Sequence, residues 1–74
     1  MKIIRCNKIT FTWNDTDAKW DIESQEVYIN TELIKYFYEY TVHDSVDKYT
    51  QIEFLHDALI VKETPEQIHN KILD

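Results

Sequence analysis

Seventy-four residues carrying a formal net charge of −6, with 43% hydrophobic and 30% charged side chains, describe a single globular domain over 1–74, not a disordered chain. One cysteine, Cys6, excludes an intramolecular disulfide and a multi-cysteine zinc site. No apolar run approaches the roughly 18 residues of a membrane span, and the acidity argues against direct binding to nucleic-acid phosphates. The start, MKIIRCNK, lacks a signal-peptide stretch, which points to a cytoplasmic protein.

Glycine is absent and Pro65 is the only proline, so turns must be made by residues such as Asn, Asp and His, which tolerate positive φ best among the others. The first expected element is a hairpin of residues 2–6 and 9–13 around Asn7 and Lys8. It sets Ile4, Cys6, Ile9, Phe11 and Trp13 on one core face, with Arg5, Thr10 and Thr12 on the other. Residues 14–26 read as an acidic excursion around Trp20 and Ile22, with a short extended piece at 20–22. Val27, Tyr28 and Ile29 form another extended piece. Asn30 then caps one helical turn over 31–35.

Residues 36–43 form a strand with Tyr36, Tyr38, Tyr40 and Val42 on alternate positions, paired with 48–55. One register sets Tyr38 opposite Glu53 and Phe37 opposite Phe54, which scatters apolar residues over both faces. The other sets Val42 opposite Thr50, Tyr40 opposite Ile52 and Tyr38 opposite Phe54, which puts the tyrosines on the core face. The second is preferred because a one-residue slip flips every side chain, and it implies an odd-length or bulged loop around 45–47. His56 and Asp57 make the next turn, with Phe54 opposite Leu59 and Ile52 opposite Val61. Thr64-Pro65-Glu66-Gln67 is a capping box that predicts a helix over 65–73, with Ile68 and Ile72 on one face and Leu73 beside them. The sum is an α+β domain: a small antiparallel sheet of hairpins with one C-terminal helix packed on it.

The stretches Val27-Tyr28-Ile29-Asn30-Thr31-Glu32-Leu33-Ile34 and Val61-Lys62-Glu63-Thr64-Pro65-Glu66-Gln67-Ile68 resemble the FlbD family of small flagellar and swarming-motility proteins. The likeness runs from Val27 to Ile72, with a further similar start at residues 1–7. It implies a small β-sheet with a C-terminal helix and a non-enzymatic accessory role in flagellar motor output. The chain departs from the family in lacking its hairpin glycines and in carrying residues 13–26, which have no counterpart there.

No catalytic set emerges, so an enzyme is not expected. Cys6 reads as a buried small hydrophobe, Ser24 and Ser45 lack a nucleophile setting, and a phosphate-cradling loop needs glycine. His43, His56 and His69 are spaced by thirteen, but the strands should hold His43 and His56 roughly 25 Å apart, beyond one ion's reach. Asn14, Asp15, Asp17 and Asp21 suggest a solvated acidic loop, with weak divalent binding as the alternative, since the calcium-loop glycine and glutamate are missing. Neither a metal site nor a cofactor is expected.

The tyrosine stripe reads as core with its hydroxyls at the rim. The alternative is an aromatic surface patch of Tyr28, Tyr36, Tyr49, Trp13 and Trp20. Nucleic-acid stacking would need interleaved Lys and Arg, whereas Glu39, Asp15 and Glu26 stand there. The expected working surface is therefore Trp13, Asp15, Asp17, Trp20, Asp21, Glu23, Glu26, Tyr28 and Tyr36. Two roles compete for it. One is a protein-binding module docking on a basic, nucleic-acid-handling partner, in the manner of phage or mobile-element inhibitors such as anti-CRISPR proteins. The other is the flagellar accessory role. Self-association is compatible with either.

Overall fold

A computed structural model describes residues 2–42 and 46–74. The architecture is α+β. Strands β1 (Ile3–Asn14), β2 (Lys19–Asn30), β3 (Tyr36–Thr41), β4 (Lys48–Glu53) and β5 (Ala58–Val61) form one antiparallel sheet in the order β2-β1-β5-β4-β3. A 3-10 turn, Thr31–Leu33, links β2 to β3, and helix α1 (Pro65–Leu73) follows β5.

The first hairpin differs from the expectation. No turn forms at Asn7 and Lys8. β1 runs through them and pairs with β2 from Ile3↔Asn30 to Asn14↔Lys19. The acidic excursion at 14–26 is therefore mostly strand, and the reversal lies at 15–18. The apolar pattern does change phase at residues 7–8, but because the covered face changes. Strand alternation puts Ile4 and Cys6 on the inner face, and Ile9, Phe11 and Trp13 on the outer one. Every apolar residue of β1 but Ile3 and Ile9 finds an apolar partner in β2: Ile4 meets Ile29, Cys6 Val27, Phe11 Ile22, and Trp13 Trp20.

The second correction concerns β3 and β4. Their register sets Phe37 opposite Ile52, Tyr38 opposite Gln51 and Tyr40 opposite Tyr49. Tyr36, Tyr38 and Tyr40 accordingly lie on the outer face, opposite to the core placement expected from the sequence. Phe37 joins the inner core in their stead. His43, Asp44 and Ser45 lie outside the described residues, and with them the expected bulge around 45–47 and the separation of His43 from His56. In the next hairpin, Ile52 faces Leu59 and Thr50 faces Val61, two residues away from the expected pairing but with the same side chains inward.

The inner core comprises Ile4, Cys6, Ile29, Ile52, Val61 and Ile68, with Val27, Ile34, Phe37, Phe54, Leu59 and Ile72 packed around it. α1 forms for local reasons. The Thr64 hydroxyl accepts from the Gln67 backbone N–H at 3.2 Å, while the Gln67 side-chain oxygen Oε1 accepts from the Thr64 N–H at 2.9 Å. Ile68 is fully buried, whereas Leu73 points away, 69% exposed. The Lys2 ammonium donates to the Ile72 carbonyl at 3.1 Å, which ties the end of the helix to the start of the chain.

β1 and β5 pair at only one position, Lys8↔Val61, backed by a 2.8 Å bond from the Lys62 N–H to the Asn7 carbonyl. Glu63 secures this junction. Its carboxylate accepts from the Asn7 N–H at 2.9 Å and from the Asn7 side-chain amide at 2.8 Å, and its carbonyl accepts from the buried Thr50 hydroxyl. Beyond Phe11, whose ring packs on Tyr49 of β4, the hairpin of β1 and β2 continues as a two-stranded arm of a molecule measuring 44 × 22 × 19 Å.

Candidate functional site

The arm ends in a polar bracket beside two indoles. The Asn14 side-chain oxygen Oδ1 accepts from the Thr16 N–H at 3.0 Å and the Asp17 N–H at 3.2 Å, an Asx turn that starts the reversal. The Asn14 amide nitrogen donates at 3.2 Å to Asp17 and at 3.2 Å to Asp21. Asn14 thus draws two carboxylates together across the hairpin end, with Asp15 exposed beside them. Ala18 completes the reversal at φ 51, in the left-handed region where a Cβ is crowded. Directly behind the turn, Trp13 and Trp20 pack edge to face with ring centroids 5.3 Å apart. The two residues are 48% and 52% exposed.

Of the nine residues expected from the sequence, the structure gathers Trp13, Asp15, Asp17, Trp20 and Asp21 at this end. Glu23 lies further along β2, opposite Thr10. Glu26 and Tyr28 form a separate group near the other end of the hairpin, where the Tyr28 hydroxyl donates to Glu26 at 3.0 Å and Arg5 stands 4.0 Å from the same carboxylate. Tyr36 sits on β3, at the opposite edge of the sheet from β2. Tyr49, a member of the alternative aromatic patch, is buried against Phe11, with ring centroids 5.7 Å apart.

The outer face nonetheless carries an aromatic band, which takes in Trp13, Trp20, Tyr49 and Tyr36 of the alternative patch read from the sequence and adds Phe11, Tyr38 and Tyr40. It runs from Trp13 and Trp20 through Phe11 and Tyr49 to Tyr40, Tyr38 and Tyr36. Tyr36 and Tyr38 stack with centroids 6.0 Å apart, and the Tyr38 hydroxyl donates to Glu53 at 3.1 Å. Partial burial and this bond to a carboxylate hold the Tyr38 hydroxyl above the ordinary tyrosine range. The signal available in the sequence was the matched alternation on the two sides of Asn14 and Asp15: Phe11 and Trp13 before them, Trp20 and Ile22 after.

Cys6 is fully buried. Burial pushes its thiol up to about 11, with the Glu63 carboxylate adding to the rise and Lys71 opposing it. A thiol so placed is a core side chain with little thiolate at neutral pH. Among the described residues, no three His, Cys, Asp or Glu side chains stand close enough to hold a metal ion, and no helix is long and apolar enough to cross a membrane. No family model, curated protein or solved structure matches the chain.

Proposed function

We propose that this chain is a non-enzymatic protein-binding module of the cytoplasm, whose acidic, aromatic hairpin arm docks on a basic, nucleic-acid-handling partner. The observation that carries this reading is the half-exposed Trp13 and Trp20 pair set directly behind the bracket of Asn14, Asp17 and Asp21. Indoles are the side chains most enriched at interface anchor points. The surrounding carboxylates supply the field that would draw a cationic surface toward them and set its orientation. An arm reaching past the sheet presents both groups without competition from the body of the domain. Lowering a partner's access to DNA or RNA is a role of small inhibitors encoded by phages and mobile elements, anti-CRISPR proteins among them, and this is the class of role proposed.

A second reading, a flagellar accessory role like that of the FlbD family, draws support from the capped C-terminal helix on a small antiparallel sheet, the arrangement which that resemblance implies. The arm separates the two readings, because residues 13–26 have no counterpart in that family. The test is capture of partners from a host lysate on wild-type protein and on a variant with Asp15, Asp17 and Asp21 changed to Lys, once its fold is verified by circular dichroism. The acidic-arm reading expects a captured basic protein to be lost by the variant and released from wild type by moderate salt, since exposed charges are screened beyond about 8–10 Å. Equal capture by both proteins at both salt levels would remove the arm from the interface.

A further inference from the structure

The sheet has two outer edges, and they differ in chemistry. β2 exposes an edge strand carrying Lys19, Asp21, Glu23 and Glu26, the kind of charged edge that discourages strand pairing. β3 has the sequence Tyr36-Phe37-Tyr38-Glu39-Tyr40-Thr41, with a single charge, no proline and no lysine. Among the described residues, no strand pairs with its outer edge. It is a regular six-residue strand with bulky, strand-favouring side chains and none of the usual protections.

Its sequence is also self-complementary. A two-fold axis through Tyr38 would pair two copies of β3 antiparallel, with Tyr38 opposite Tyr38, Tyr36 opposite Tyr40 and Phe37 opposite Glu39. Residues of equal parity then meet, so each copy keeps its inner and outer faces aligned with the other's. The alternative axis through Glu39 would set two carboxylates directly opposite each other, which is unfavourable. In the register centred on Tyr38, Glu39 instead faces Phe37 of the other copy and lies diagonal to both Lys35 and Glu39 there, so the two carboxylates stand further apart and a cation is within reach of long side chains. Lys48 already stands 4.0 Å from Glu39 and Lys35 lies 5.8 Å from the Tyr36 ring centroid, so cations flank this edge while the acidic arm is carried by strands on the far side of β5.

We infer that β3 is a homodimerisation edge, on which a second copy of this chain adds its own β3 antiparallel about Tyr38 to make a continuous ten-stranded sheet. The tyrosines of the two copies form one outer-face stripe across the junction, and the two arms, on β1 and β2, lie at the far ends. A six-residue edge makes a weak, concentration-dependent dimer.

Sedimentation equilibrium tests this directly. The wild-type mass should rise from 9.0 kDa toward twice that value as concentration increases from low micromolar to millimolar. Tyr38→Lys sets two ammonium groups opposite each other and should weaken association about tenfold or more, as should Tyr38→Glu, while an equimolar mixture of the two variants should associate again. Thr41 is exposed and faces Lys35 of the other copy in this register. Thr41→Glu should therefore tighten the dimer and Thr41→Lys loosen it, a comparison that holds even if changes at Tyr38 impair folding. A wild-type mass fixed at 9.0 kDa throughout, a dimer indifferent to both pairs of substitutions, or a Tyr38 mixture that stays monomeric would overturn the assignment.

Discussion

Ala18 holds φ 51 in a chain that contains no glycine at all. A residue with a Cβ in the left-handed region costs about 1–2 kcal/mol relative to its ordinary conformations. Ala18→Gly removes that cost but gives the unfolded chain more freedom, an opposing effect of about 0.4–1 kcal/mol. The net expectation is a stabilisation of about 0.5–1 kcal/mol. For a domain of this length, 1 kcal/mol shifts the melting temperature by about 4–8 °C, so the variant should melt roughly 2–8 °C higher. Ala18→Asn should also stabilise, because asparagine tolerates this region without glycine's entropy cost. Ala18→Val should destabilise, since a β-branched side chain fits the left-handed region worst. Thermal melts followed by far-ultraviolet circular dichroism, with urea titrations checking that the slope is unchanged, measure all three. If Ala18→Gly and Ala18→Asn both melt at or below the wild-type temperature, the turn at 15–18 is not strained in the way its backbone angle implies.

Thr64→Ala breaks the capping box and should cost about 1 kcal/mol, read as a lower urea midpoint; an unchanged midpoint would mean that the cap contributes nothing. Ile68→Ala empties the one fully buried position of the helix and should cost about 2–5 kcal/mol, comparable to the whole stability of about 3–5 kcal/mol expected for a domain this small. Leu73→Ala, on the exposed side of the same helix, should change stability by less than about 0.5 kcal/mol, and the two urea midpoints can be compared directly. Cys6 should resist a thiol-specific disulfide reagent in native protein and react readily in urea. The folded Cys6 thiol keeps its proton up to about 11 against an ordinary value of 9.0, so its contribution to stability is complete below the latter and lost as pH rises through the former. Urea midpoints measured below and within that window should fall more steeply for wild type than for Cys6→Ala.

The parts of the fold legible in the sequence were those determined by neighbours in the chain. The Thr64 and Gln67 box, Pro65 at the first helical position and the Asn30 cap depend on side chains reaching one to three residues, and these form as read, although the turn after Asn30 is a 3-10 turn over Thr31–Leu33 and not a helical turn over 31–35. The inward set Ile52, Leu59 and Val61 was legible because its strands are joined by a short connection. The errors share one physical origin. Alternation tells which residues share a face of a strand, but not which face will be covered. Ile4 and Cys6 are covered on one side, Ile9 and Phe11 on the other, and the change of phase between them mimics a turn. The core placement expected for the tyrosines of β3 fails for the same reason, since nothing local distinguishes a stripe facing the helix from one facing outward. Of the expected surface residues, those near the reversal at 15–18 come together because the hairpin is continuous. Glu26, Tyr28 and Tyr36 do not join them, because pairing carries them to other parts of the sheet.

The single pairing of Lys8 with Val61 joins residues fifty-three positions apart, whereas every other ladder in the sheet connects strands adjacent in the chain. Loop-closure entropy grows with the length enclosed, so this contact is the most expensive to make during folding and the one with least ladder to reward it. The long hairpin and the three-stranded meander are expected to zip separately, with the Glu63 carboxylate reaching Asn7 as they come together. Asn7→Ala should then act mainly on whichever rate governs that encounter, and chevron kinetics would show it as a change in one limb with the other nearly unmoved.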